Sequence, residues 1–241
     1  VLTDGQLLVE QVRNSERTPL VAALLHGPAG AGKTALAAKI ATDSNFPFIK
    51  LISPEQMVGF SESQKIAQMT KIFSDSYKSP LSVVVVDSIE RLLDWNPIGP
   101  RFSNSVLQAL VVLFGKRPPK GRRLLVLATT SDRTILTDMG VLSAFDSTIY
   151  VPPIDNIASI GAVVSHLELF AGDQRAQDRA LTRIRDMYAQ GNGDADAIRI
   201  GIKKLLTFVE MARQDRDGDP AEKLVSVIYD WSLSILRDEK R

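Results

Sequence analysis

Residues 27–34 read Gly27-Pro28-Ala29-Gly30-Ala31-Gly32-Lys33-Thr34, a G-x-x-x-x-G-K-[ST] loop. Those residue types at that spacing suit a nucleoside triphosphate. Glycines let backbone N–H groups curl into a nest for phosphate oxygens. Lys33 can reach the β- and γ-phosphates, and the Thr34 hydroxyl can ligate Mg²⁺. Ala35 continues the contact surface into the helix whose N-terminus adds a positive dipole end. A phosphate loop needs a metal partner, and Val83-Val84-Val85-Val86-Asp87 ends an apolar run in a carboxylate. We expect Asp87 to hold Mg²⁺ through water, together with Thr34. A chance glycine-rich turn and a helix-capping aspartate are the alternative readings; the flanks and the pairing of the two motifs weigh against both.

The elements that must position these groups are legible around them. Leu20 to His26 reads as a strand, and Ala35-Leu36-Ala37-Ala38-Lys39-Ile40-Ala41 as a helix. Phe46 to Leu51 reads as a short strand whose Pro47 marks a start or an edge. Ser61 to Tyr77 carries Ile66, Met69, Phe73 and Tyr77 at helical spacing. Leu81 to Val86 and Leu124 to Ala128 have the continuous apolar character of strands buried on both faces of a parallel sheet. Asn104 to Phe114 is helical, and Thr148 to Val151 is a last short strand. Strands alternating with helices predict an α/β fold with a mostly parallel sheet. After Pro152-Pro153 the pattern turns helical: Ile157–Ala171, Arg175–Ala189, Ile202–Arg213 and Ala221–Arg237, the last striped by Leu224, Ile228, Trp231 and Ile235. Gly191-Asn192-Gly193-Asp194 and Asp215 to Pro220 read as loops. We therefore expect a nucleotide-binding core over 1–153 and a helical lid domain over 154–241.

Composition narrows the function classes. The 241 residues carry 29 basic and 28 acidic side chains, a net charge of +1. That balance gives no support to a broad nucleic-acid or membrane-surface role. There is no cysteine, which excludes disulfides and thiol catalysis. No apolar run approaches the roughly 20 residues of a transmembrane segment. The chain opens on Val1, so we expect a stretch of a longer protein whose targeting is not legible. The two histidines, His26 and His166, stand far apart and read as structural.

The two loops, Met57-Val58-Gly59 before a helix, Ala128-Thr129-Thr130 ending a strand, and the helical tail resemble an AAA-type ATPase. Ser44 to Lys50, Ile98-Gly99-Pro100-Arg101-Phe102-Ser103-Asn104 and Ile200 to Leu206 narrow it. They are similar to the second ATPase domain of the N-ethylmaleimide-sensitive fusion factor, a vesicle-fusing ATPase family. The resemblance implies a P-loop AAA sheet with a small all-helical C-terminal domain. It also implies ATP and Mg²⁺ as cofactors and a hexameric ring of identical subunits. A role on SNARE complexes through adaptor proteins would follow, in the cytoplasm and peripheral to membranes through those partners. Further implied nucleotide contacts are Thr130, at a sensor position, and Gly201, Lys203 and Lys204 in the helical domain. Lys204 lies about 200° round the helix from Ile202, so it projects away from the apolar face, and we place it ahead of Lys203.

Several positions depart from an active member. Ser88 stands where the resemblance implies a water-activating glutamate, and a serine hydroxyl is no carboxylate base at neutral pH. Glu90 is nearby, but we expect a solvated or ion-paired helix residue. Val141-Leu142-Ser143-Ala144-Phe145-Asp146 replaces an arginine-bearing stretch, so Val141 and Ala144 fill the finger positions. Such a finger contributes about 10³ to 10⁵ in rate. Arg101 and Arg133 are substitutes to consider. At the pore position Met57 lacks an aromatic grip, and Phe60 reads as core or interface. We expect an ATP-binding assembly module with very slow hydrolysis and no confident catalytic residue. The alternatives are an active protein-remodelling motor and, more weakly, a P-loop small-molecule kinase.

Overall fold

The computed structural model describes residues 1–96, 101–192, 198–215 and 218–238. Ile98-Gly99-Pro100, Gly193-Asp194 and residues 216–217 of the sequence reading lie outside them, as does the Ile235 side chain. The chain divides into two compact units, Val1–Pro28 with Gly32–Val151 and Ala29–Ala31 with Pro152–Arg241.

The first unit runs α1 (Leu2–Asn14), β1 (Leu20–His26), α2 (Lys33–Asp43), β2 (Phe48–Ile52), α3 (Glu62–Ser76), β3 (Leu81–Val86), α4 (Ile89–Leu92), α5 (Asn104–Gly115), β4 (Arg123–Thr130), α6 (Arg133–Asp138) and β5 (Ser147–Tyr150). All five strands pair in parallel in the order β2-β3-β4-β1-β5. β2 is an edge strand, as Pro47 just before it requires. Parallel neighbours demand crossover helices, and these cover both faces. Ala22, Leu24, Val84, Val86 and Val126 point into one layer with Met69 and Phe73 of α3 and Leu110 and Phe114 of α5. Phe114 sits between Phe73 and Phe145, its ring centroid 6.3 and 5.3 Å from theirs. Each such buried side chain stabilises the fold by about 1.5–3 kcal/mol. The other face is covered by α1 and α2, which supply the buried Val12, Ala37, Ile40 and Ala41.

Caps fix the helix starts. Ser61 and Gln64 form a reciprocal capping box on α3, and the Ser103 hydroxyl accepts from Val106 N–H on α5. Met57 is buried in the core rather than presented at a tip. Val58, 80% exposed, and Phe60, 39% exposed, carry the apolar surface of that loop instead.

The second unit contains α7 (Ile157–His166), α8 (Gln174–Asn192), α9 (Ile202–Gln214) and α10 (Pro220–Asp238). Ile160, Val164, Ile184, Leu205, Phe208, Leu224 and Ile228 form its core, and Trp231 meets Phe208 edge-on at 5.8 Å. The first helix is shorter than the expected Ile157–Ala171. Glu168 and Ala171 take left-handed backbones (φ 52° and 46°), which an α-helix does not admit. An isolated antiparallel bridge joins Ile154 to Ile200, a pairing too short to leave a strand signature.

Candidate nucleotide site

The phosphate loop leaves the C-terminal end of β1, a central strand, and ends in the first turn of α2. Gly27 has φ 152°, and a Cβ there would lie 2.1 Å from the Val151 carbonyl oxygen, so no other residue fits. Gly32, the N-cap of α2, has φ 92°. Lys33 is buried, and its ammonium donates to the carbonyls of Gly27 (2.9 Å) and Pro28 (2.8 Å). The lysine thus laces its own loop. Burial pushes its pKa below the usual lysine range, while the carboxylates of Glu90 first and Asp87 second push it back up.

Asp87 follows β3 directly and is buried. Its Oδ1 accepts from the hydroxyls of Thr34 (2.5 Å) and Thr129 (2.8 Å), and its Oδ2 from the Ser88 hydroxyl (3.1 Å). Thr34 and Asp87, paired on the sequence alone, therefore meet directly. They present oxygen donors only, the chemistry that Mg²⁺ takes when water and phosphate oxygens complete its shell. Among the described residues no cluster of three or more His, Cys, Asp or Glu offers an all-protein metal cage. That fits a metal carried in with phosphate.

Ser88 adopts φ 52° and ψ 63°, a left-handed conformation costly for serine. Its N–H donates to Thr129 Oγ1 at 2.9 Å, and its side chain caps no helix N–H. This corner turns the chain so that Glu90, on α4, reaches the end of β4. Glu90 Oε1 accepts the Ser131 N–H at 3.0 Å. Glu90 is half-buried, and its Oε2 is shut off from solvent with no protein donor. Glu90 is thus solvated at one oxygen and enclosed at the other, and its charge acts on Lys33.

The strand end gives its two threonines different partners. Thr130 is fully buried, and its hydroxyl donates to the Asp132 carbonyl (3.0 Å) and accepts the Asp132 N–H (3.2 Å). That hydroxyl is engaged in a turn, and the Thr129 hydroxyl is the one that donates to Asp87. Successive residues on a strand face opposite ways, so the two threonines meet different partners.

Val141 is fully buried, and Ala144 packs on the core beside it. Neither position offers a cation. Arg133 opens α6 in an exposed position, and Arg101 is exposed and bridged to Asn96. His26 precedes the loop, with its ring 5.4 Å from that of Tyr150. Burial, and then the charges of Arg133 and Lys33, hold its pKa below the usual histidine value. His166 is exposed at the end of α7.

Within the second unit, the Lys203 N–H donates to the Gly30 carbonyl at 3.2 Å. Gly201 approaches so closely that a Cβ there would stand 3.0 Å from the same oxygen. Lys204 instead rests its ammonium 5.4 Å above the Phe208 ring of its own helix. It is the Lys203 backbone, then, that lies beside Gly30. Ala29 and Ala31 share this unit with it.

Residues 23–153 match the family described as ATPase family associated with various cellular activities (AAA). The chain is 50% identical over 217 residues to the vesicular-fusion protein of Schizosaccharomyces pombe, covering 90% of this chain and 27% of that protein. It is 45% identical over 220 residues to the vesicle-fusing ATPase of Arabidopsis thaliana (91% and 28%). With the vesicle-fusing ATPase of Dictyostelium discoideum the identity is 45% over 233 residues (97% and 29%). The chain thus spans less than a third of the length of these relatives.

Proposed function

The chain belongs to the AAA ATPase family, and from that premise we propose that it is an ATP-gripping assembly module whose own hydrolysis is very slow. We assign it to the second ATPase domain of a vesicle-fusing ATPase, working on SNARE complexes through adaptors bound elsewhere in the parent protein. Its place is the cytoplasm, held at membranes by partners. No helix among the described residues is long and apolar enough to cross a membrane.

Residues 1–153 form the nucleotide-binding core in this reading. Gly27, Pro28, Gly32, Lys33, Thr34 and Ala35 bind phosphate, with Ala29, Gly30 and Ala31 at the tip beside Gly201 and Lys203 of the helical domain 154–241. Lys33 exchanges its two loop carbonyls for phosphate oxygens when ATP enters. Thr34 and Asp87 hold Mg²⁺, which neutralises charge on the β- and γ-phosphates. Thr129 and Ser88 keep the Asp87 carboxylate oriented.

One observation carries the reading. The grip is complete, from Lys33 to Thr34 and Asp87, while residue 88 is a serine and Val141 and Ala144 are packed into the core. Binding without rapid cleavage suits a clamp. ATP bound only to the assembled form would stabilise a ring, a hexamer by family resemblance, through mass action. Native mass measurement with and without Mg-ATP tests this. A chain that stays monomeric with saturating Mg-ATP at high concentration would defeat it. An active motor is the second reading, and the inward-facing Glu90 carboxylate is what favours it. Steady-state phosphate release at the 1–10³ s⁻¹ usual for enzymes would establish the motor and remove the clamp.

A further inference from the structure

We propose that the N-terminal edge of the parallel sheet is a docking surface for a short acidic protein segment. The inference stands on residues of its own, and ATP binding plays no part in it.

In a parallel sheet the loops that enter the strands gather at one edge, opposite the edge where the strands end. Here β3, β4 and β1 are neighbours, and residues 77–80, 116–122 and 15–19 enter them. The three entry points lie within about 10 Å of one another. Hydrogen bonds tie the loops together. The Arg123 N–H donates to the Pro80 carbonyl (3.0 Å), the Leu124 N–H to the Pro19 carbonyl (2.8 Å) and the Tyr77 hydroxyl to the Lys116 carbonyl (3.3 Å). The phosphate loop leaves the far end of β1, whose seven residues set it about 20 Å away.

Positive charge is concentrated at this edge. The three loops hold Arg17, Lys78, Lys116, Arg117, Lys120 and Arg122, and Glu16 is their only carboxylate, in a chain whose net charge is +1. Helix C-termini also draw cations, and Arg123 is committed in that way to the Val12 and Arg13 carbonyls that end α1. Lys78 is paired with Asp75 at 2.5 Å. The Lys116 ammonium rests 5.8 Å above the Tyr77 ring. Among the described residues Lys116, Arg122, Arg17, Arg117 and Lys120 have no ion pair, and the last three are exposed with no side-chain hydrogen bond.

These groups suit carboxylates on a short chain. A guanidinium fork takes a carboxylate through two parallel hydrogen bonds. Pro118 and Pro119 stiffen the loop between Arg117 and Lys120, and the Arg122 N–H closes it on the Pro119 carbonyl at 3.0 Å, so docking orders little new backbone. Broad polyanions fit less well. The three loops expose no large apolar side chain to enter a bilayer, and their one aromatic, Tyr77, is half-buried under Lys116 rather than bare for a base to stack on. Glu16 within the patch, with Glu10 and Asp75 at its rim, would face a continuous anionic plane. A short segment passes between them.

Two double charge reversals test the surface: Arg117→Glu with Lys120→Glu in the patch, and Arg175→Glu with Arg179→Glu at exposed positions of α8. The probe is a fluorescein-labelled peptide of alternating Asp and Ser, with its Asn–Ser counterpart as control, read by fluorescence anisotropy. We expect the wild type to bind the acidic peptide, more weakly as salt rises, and to ignore the neutral one. The patch reversal should weaken binding at least tenfold and the α8 reversal less than twofold. Arg117→Gln with Lys120→Gln should fall between wild type and the patch reversal, so that a folding defect in one variant does not decide the outcome. Equal weakening by the two reversals would reduce the effect to net charge and overturn the proposal. Absent peptide binding, or binding unchanged by the patch reversal, would also overturn it. Phosphatidylserine vesicles and a DNA duplex assayed alongside would then show whether another polyanion takes the edge.

Discussion

The Thr34 hydroxyl donates to Asp87 Oδ1 across 2.5 Å, joining the first turn of α2 to the end of β3 over 53 positions of sequence. A metal ion that takes the Thr34 hydroxyl as a ligand, with Asp87 held through water, would have to replace this contact. Thr34→Val keeps the side-chain shape and removes the hydroxyl. We expect at least tenfold weaker ATP binding in Mg²⁺ and little change in EDTA, read by calorimetric titration. Equal losses in both media would mean that Thr34 only shapes the loop.

Lys33→Ala tests the coupling of binding to assembly. At ligand 100-fold above Kd, linkage contributes about 2.7 kcal/mol; a hundredfold loss of affinity leaves about 0.4 kcal/mol. The variant should therefore stay unassembled at ATP concentrations where the wild type forms rings in native mass spectra. Unchanged ring formation would uncouple the two.

The loop and Asp87 were legible because local sequence dictates them. Gly27 through Thr34 needs only its own spacing, and Asp87 only the valine run before it. The strands flanking them are continuous apolar runs with the same property. The direction of Glu90 was not legible because it depends on a left-handed Ser88, a backbone state no periodicity reveals. The Thr129 contact with Asp87 was not legible because a strand buried on both faces gives no polar–apolar alternation to show which side is which. Lys203 and Lys204 were ranked by the apolar stripe of their helix. The contacts that distinguish them, a backbone bond to Gly30 and an aromatic ring one turn on, leave no trace in that stripe.

Ser88→Glu restores a carboxylate next to Asp87 but no arginine. The buried Val141 and core-packed Ala144 remain. We expect steady-state phosphate release to rise less than tenfold. A gain of the size an arginine finger brings, about 10³ or more, would show that the base was the sole deficit.

The Lys65–Asp94 ion pair holds α3 to the end of α4. Lys65 is buried, its ammonium lies 2.6 and 2.7 Å from the two Asp94 oxygens, and Asp94 sits at φ 54°. Asp94→Asn tolerates that backbone but leaves the buried ammonium without its counter-charge. Because Asp94 is largely exposed, water screens part of the loss. We expect about 1–2 kcal/mol of destabilisation by denaturant titration. Asp94→Gly, which also relieves the backbone, should cost less than Asp94→Ala; the reverse order would place the strain elsewhere.

His26 makes stability depend on acid. Burial, Arg133 and Lys33 all disfavour its charged form, so the folded chain takes up this proton less readily than the unfolded chain. As pH falls below about 6.5, the unfolded state binds the proton first, and stability drops until the folded pKa is passed. Above neutrality the group contributes no slope. His26→Phe keeps a ring against Tyr150 and removes the titration. Urea midpoints at pH 7.5 and 5 should therefore fall less in the variant than in the wild type. An equal fall in both would assign the acid sensitivity to other groups. A larger fall in the variant would mean that protonated His26 finds a partner in the folded chain, against the charges that surround it.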